Sequence, residues 1–243
     1  MNMKIKMAGL VFAIEYRYPS VAAYCQDYFT EETEDYFVCI GEKDLEEERE
    51  WLGLLDKNCS PDRAAYSADH VELLALHRKI ASILLEHNIL LFHGSAIAVD
   101  GKAYLFTAVS GTGKSTHTAL WRKYFGERAL MVNDDKPWIR LGEKGASIIG
   151  SPWNGKHRLS TDIEVPLKAI CILERGEENY INEITAREAW PMLFQQTHHP
   201  PEQAKMTKTL QLVDILSQKV KLYRLHCNMD LQAAEIAFAG MQS

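Results

Sequence analysis

The chain opens on alternating charged and apolar positions, Lys4-Ile5-Lys6-Met7, and then runs apolar to Ile14. Residues 4 to 16 therefore predict a β-strand leaving a core. Tyr36 to Ile40, YFVCI, predicts a second strand, reached through the acidic stretch Glu31 to Asp35. The charge run Glu42 to Glu50 reads as the solvated face of a helix. After a turn at Ser60-Pro61-Asp62, residues 69 to 87 carry Val71, Leu74, Ala75, Arg78 and Ser82 near helical spacing. Leu73, Leu76, Ile80, Ile83 and Leu84 broaden the apolar face of that helix. Residues 1–88 are thus expected to form a small N-terminal α+β region.

From residue 89 the texture changes. SAIAV and KAYLF are strand-like runs separated by Asp100-Gly101, a tight hairpin turn in which glycine accepts positive φ. The pattern then predicts a helix from Lys114 to about Phe125, a short strand at 129–132 and a second hairpin over 136–150 turning at Gly142 to Gly145. LKAICILE, 167–174, reads as a buried strand. Helices over 185–197, 202–218 and 230–240 follow, with a strand near Val220 to Leu225. Residues 89–243 are expected to form one α/β domain with a mixed sheet and hairpins.

Composition narrows the function classes. With 243 residues, 47% hydrophobic and 25% charged, the chain has globular usage and no case for disorder. A formal charge of -6 argues against a nucleic-acid footprint, which shows as clustered excess Lys and Arg. Five cysteines without a CxxC pair point to a reducing, cytoplasmic setting. The apolar run Met7 to Ile14 after Lys4 and Lys6 is read as a strand rather than a leader, and no stretch is long enough to span a membrane.

The chemistry gathers around AVSGTGKST, Ala108 to Thr116, directly after the strand ending in Leu105-Phe106. It matches the phosphate loop GxxxxGK[ST] except that Ala108 stands at the first glycine. An alanine forced to positive φ would be strained by roughly 1–2 kcal/mol. A residue still in extended geometry carries no such strain, and Ala108 is expected to continue the strand. Backbone N–H groups of Ser110, Gly111, Thr112, Gly113, Lys114 and Ser115 would then converge on phosphate oxygens, with Thr116 in the first helical turn. Lys114 would bring mobile positive charge, and Ser115 a hydroxyl for Mg²⁺. Asp134 and Asp135 end the next strand, 20 residues past Lys114 for Asp134, where ligands collect in α/β sheets. Two adjacent carboxylates can divide metal binding from proton acceptance.

HGSAIAVDGKAYLFTAVSGTGKST followed by NDDKPW resembles the kinase core shared by HPr kinase/phosphorylase and ATP-dependent phosphoenolpyruvate carboxykinase, over about residues 89 to 175. In that group a His-Gly pair opens a hairpin, the hairpin leads into the phosphate loop, and an Asp-Asp pair follows the next strand. The fit is better to the compact HPr-kinase-like proteins of bacterial gene clusters, in which a GSPWxGK segment follows. The resemblance implies a P-loop kinase using ATP and Mg²⁺, with Lys114 on the phosphates and Ser115 on the metal. It also implies Asp134 as base and Asp135 as metal partner, or the reverse, and His93 near the transferred phosphate. Some relatives phosphorylate serine in a peptide or protein, so a peptide or small-protein acceptor is expected, with a small-molecule kinase or a non-catalytic nucleotide sensor as alternatives. Homo-oligomers are compatible with this reading. In GSPWNGKHR, Lys156 and Arg158 are candidates for the γ-phosphate. Arg175, past a strand end, is a weaker phosphate candidate. His198 and His199 lack the spaced partners of a zinc site.

Overall fold

A computed structural model of the chain describes residues 1–56 and 66–242; the expected turn at Ser60-Pro61-Asp62 lies outside the described residues. The chain divides into two compact units, Met1–Ile83 and Leu84–Ser243, where the pattern reading placed its division at 88/89.

In the first unit, the expected single strand is a hairpin of β1 (Asn2–Met7) and β2 (Leu10–Glu15). Ala8 and Gly9, φ 55° and 73°, make the tight turn, and the apolar run through them hid it. Proline at N1 starts α1 (Pro19–Cys25), which the pattern did not predict. β3 (Tyr36–Cys39) pairs parallel to β2 and completes a three-stranded sheet. α2 (Glu42–Asp56) contains the charge run, but its face is not wholly solvated: Glu48 is buried and ion-paired with Arg78 of α3 (Ala68–Glu86). On the same helix the buried Glu72 accepts from the N–H groups of Arg17 (2.8 Å) and Tyr18 (3.2 Å), ahead of α1.

The second unit is a mixed sheet of nine strands among the described residues, with helices on both faces. β4 (Ile89–Leu91), β5 (Ser95–Val99) and β6 (Lys102–Thr107) lead into α4 (Lys114–Phe125) and β7 (Ala129–Asn133). The hairpin β8 (Trp138–Gly142) and β9 (Gly145–Ile149) precedes β10 (Glu164–Arg175). Then come β11 (Tyr180–Glu183), α5 (Ala186–Gln196), α6 (Gln203–Lys219), β12 (Lys221–Cys227) and α7 (Gln232–Gly240). β4 and β11, three and four residues long, were too short to show as patterns.

The twelve-residue β10 joins the two ends of this sheet. Glu164 to Pro166 pair antiparallel with β9; the strand then pairs parallel with β6 from Leu167 to Ile172 and with β12 from Ala169 to Arg175. Its side chains alternate between two cores, as a period of two requires. Ile170 and Ile172 face the core that includes Leu193, Leu212 and Leu216 of α5 and α6. Ala169, Cys171 and Leu173 face the core of Trp121, Phe125, Ala234 and Ala237 from α4 and α7. β6 divides in the same way, with Leu105 to the first core and Tyr104 and Phe106 to the second. Among the described residues no helix is long and apolar enough to cross a membrane.

Within α4, the fully buried Trp121 donates its indole N–H to Nε2 of the buried His117 at 3.0 Å. Burial pushes the His117 pKa down to about 3, so the folded protein holds a neutral imidazole. Between the ordinary 6.5 and about 3, the unfolded chain binds a proton here that the folded chain refuses. Stability from this group is complete above pH 6.5 and declines as pH falls, by up to about 1.4 kcal/mol per unit. The stability of the native protein minus that of His117→Gln should drop by about 2 kcal/mol on going from pH 6.5 to 5 in urea titrations. A difference independent of pH would contradict a buried neutral His117.

Candidate functional site

β6 delivers the chain to the carboxyl end of the sheet, and the loop from Ala108 to Gly113 turns it into α4. Ala108 is buried, one residue past the strand, and is not among the residues of positive φ. The missing first glycine therefore introduces no backbone strain. Positive φ falls instead at Gly111 (80°) and Gly113 (124°), where L-residues with a Cβ are disfavoured. The Val109 carbonyl accepts from the Thr112 N–H (3.2 Å) and hydroxyl (2.8 Å), closing the turn. α4 then starts with no side-chain cap and no acidic residue in its first turn. Its first N–H groups lack intrahelical acceptors and its positive dipole end is uncompensated, the arrangement that receives anions. Lys114 Nζ donates to the Ala108 carbonyl at 3.2 Å, and burial lowers its pKa.

β7 brings the carboxylates to the same end of the sheet. The wholly buried Asn133 sets the turn that carries them: its Oδ1 accepts from the N–H groups of Asp135 (2.8 Å) and Lys136 (2.6 Å). Its amide donates to the Ser151 carbonyl (3.0 Å), the Ser151 hydroxyl (3.1 Å) and the Trp153 carbonyl (3.2 Å). The GSPWNGK segment is thereby tied to the aspartate turn. Gly155 N–H donates to Asp134 Oδ1 at 2.6 Å, and a Cβ at 155 would come within 3.1 Å of Asp134 Oδ2. Glycine at 155 therefore serves close approach to the carboxylate.

The two aspartates occupy different environments. Burial raises the Asp134 pKa, outweighing the backbone hydrogen bonds from Gly155 and Leu159. Burial acts on Asp135 in the same direction, but its hydrogen bond with His93 and the charges of Lys136, His93 and Lys114 hold it below the ordinary carboxylate value. His93 Nε2 lies 3.3 Å from Asp135 Oδ1. That contact favours the imidazolium, yet burial and the charges of Lys136 and Lys114 leave the His93 pKa lowered. Gly94, next to it, has no room for a side chain, since a Cβ would meet Leu105 Cδ1 at 2.9 Å and the Phe106 carbonyl at 3.0 Å.

These groups line one cavity of about 540 Å³. Gly111, Gly113, Lys114, Ser115 and Thr116 form part of its wall, together with Asp134, Asp135, His93 and Lys156. Ser110 and Thr112 belong to the loop but do not line the cavity, and neither does Arg158. Arg158 has left-handed backbone, φ 51°, and its neighbour His157 takes the cavity wall instead. Arg175 turns to the loop rather than the cavity, donating to the carbonyls of Gly111 and Thr112. The pattern reading missed Thr118, Ala119 and Arg122, which also line the cavity. They stand three, four and seven residues beyond Ser115, so the face of α4 that follows from Ser115 was enough to find them.

No protein-family model matches the chain. No curated protein matches it either. Among solved structures it is similar to the Hpr(Ser) kinase/phosphatase from Coxiella burnetii, with 9% identity over 61% of this chain and 94% of that one, at a TM-score of 0.34. The chemistry rests on this chain's own residues.

Asn133 gives the site a direct test. Asn133→Ala removes the partner of two buried carbonyls and two N–H groups and should cost about 3 kcal/mol in urea unfolding. Asn133→Asp keeps the acceptor side of the network but sets a buried carboxylate oxygen against the Ser151 and Trp153 carbonyls, and should cost at least as much as the alanine variant. Equal stability of Asn133→Ala and the native protein would contradict the network.

Proposed function

We propose that the chain is an ATP- and Mg²⁺-dependent phosphotransferase of HPr-kinase-like type, moving the γ-phosphoryl group to a hydroxyl, namely serine of a peptide or small protein. The observation that carries this reading is the meeting, in one cavity, of an uncapped helix start bearing Lys114 and Ser115 with two carboxylates in contrasting environments. The peptide acceptor comes from the resemblance of the motifs, as does a cytoplasmic setting.

In this reading the N–H groups of Gly111, Gly113, Lys114 and Ser115 and the Lys114 ammonium hold the triphosphate. Mg²⁺ prefers oxygen donors and takes one or two carboxylates along with substrate phosphates. Ser115 and Asp135 offer such donors, and Asp135 is kept anionic. Among the described residues no group of three or more His, Cys, Asp or Glu stands ready as a self-sufficient metal cage, which agrees with an ion that shares its ligation with phosphate. The bound ion would supply neutralisation of charge on the β- and γ-phosphates.

Asp134, with its raised pKa, is the better proton acceptor of the pair. As the acceptor oxygen bonds to the γ-phosphorus, its proton passes to the Asp134 carboxylate. The bond from that phosphorus to the β–γ bridging oxygen breaks, and a nucleoside diphosphate leaves. His93 positions Asp135. Lys156, in the cavity wall, would stabilise charge on the transferred group.

With γ-labelled ATP, transfer to serine peptides is expected, and transfer to free metabolites alone would overturn the peptide acceptor. Lys114→Ala should lower turnover by about 100-fold or more. Asp134→Asn should retain nucleotide binding and lose transfer, whereas nucleotide binding without turnover in the native protein, unchanged by Asp134→Asn and Asp135→Asn, would leave a nucleotide-binding protein without catalysis. The rate should fall on the acid side as pH drops through the Asp134 pKa, which burial raises from its ordinary value. A limb below that ordinary value would assign the base to Asp135.

A further inference from the structure

Arg175 is the last residue of β10, and its backbone is fixed by strand pairing opposite Cys227 and by the bond from Gly176 N–H to the Cys227 carbonyl (3.0 Å). β10 runs parallel to β6 up to the pair Ile172 and Thr107, so Arg175 emerges beside the loop that follows β6. Its guanidinium reaches across more than 60 residues of sequence: Nη2 donates to the Gly111 carbonyl at 2.5 Å and Nε to the Thr112 carbonyl at 3.3 Å. No carboxylate competes for it among the described residues, since the neighbouring Glu174 is engaged by Arg224 (3.0 Å) and His226 (3.5 Å).

A planar peptide points its C=O and the following N–H in opposite directions. Holding the Gly111 and Thr112 carbonyls against Arg175 therefore aims the N–H groups of Thr112 and Gly113 the other way. Thr112 N–H closes the turn on Val109, while Gly113 N–H has no partner among the described residues, and Gly113 lines the cavity. The two peptides involved adjoin Gly111 and Gly113, whose backbone is the least restricted in the loop. We infer that Arg175 is a positioning residue that presets the anion-receiving conformation of the loop from behind, through two carbonyls, without touching the bound anion. The side-on fork of an arginine spans two acceptors, which a lysine ammonium does not reproduce.

The inference concerns the loop itself; its nucleotide arm rests on the function proposed above. In the ligand-free protein, Arg175→Gln should accelerate amide hydrogen exchange at Thr112, whose N–H is bonded to the Val109 carbonyl, about tenfold, the size of one lost charge-assisted bond. Exchange elsewhere and the melting temperature should stay near native values, because Arg175 is exposed. Arg175→Lys should restore little of the protection. Nucleotide binding should weaken by about the same factor for ADP and ATP, because a loop-borne defect does not depend on the γ-phosphate, and kcat should change less than KM. Unchanged exchange in the loop would overturn the inference, as would a loss much larger for ATP than for ADP, which marks direct contact with the γ-phosphate. If the native protein binds neither nucleotide, the proposed function falls, and the exchange arm alone decides the role of Arg175.

Discussion

Leu167 to Ile172 of β10 run alongside Ala103 to Thr107 of β6 in the same direction, and parallel neighbours deliver their carboxyl ends to one edge of a sheet. That pairing determines where the glycine-rich loop, Arg175 and, one hairpin away, the Asp134-Asp135 turn can lie. It also obliges both strands to be apolar on both faces, because parallel strands inside α/β layers are covered twice. The two cores divided by β6 and β10 follow directly. With α4 and α7 on one side and α5 and α6 on the other, the loop end of the sheet is left for polar chemistry.

A second order of organisation sits on that edge. Asn133 joins the aspartate turn to the GSPWNGK segment through buried hydrogen bonds, and Gly155 then presses its N–H onto Asp134. Desolvation dominates at Asp134, while Asp135 has cationic neighbours and a histidine. Two chemically identical side chains, adjacent in sequence, thus differ in proton affinity because burial outweighs the backbone amides at one, while His93 and two lysines offset it at the other.

Much of the fold could be read from periodicity. The boundaries of α4 and the β5–β6 hairpin follow from a run of small loop-formers between unambiguous apolar segments. The opening hairpin could not be read, since Met7-Ala8-Gly9-Leu10 keeps the turn as apolar as the strands and puts an alanine where positive φ is needed. The buried Glu48 escaped because charge alone does not say which side of a helix carries a partner such as Arg78. For the site, Lys114, Ser115 and the aspartates were visible as strand-end and loop-end residues. Which of Lys156, His157 and Arg158 meets the cavity was not, because an irregular loop has no period from which orientation follows. Arg175 stood only as a weaker phosphate candidate, since a sequence shows a cation near a strand end but not the carbonyls already turned toward it.

The two loop glycines carry one more consequence. A Cβ at Gly111 or Gly113 would meet nothing within 4 Å, so the loop has space there for a side chain, and what excludes one is the sign of φ. The restriction is therefore one of chirality rather than volume.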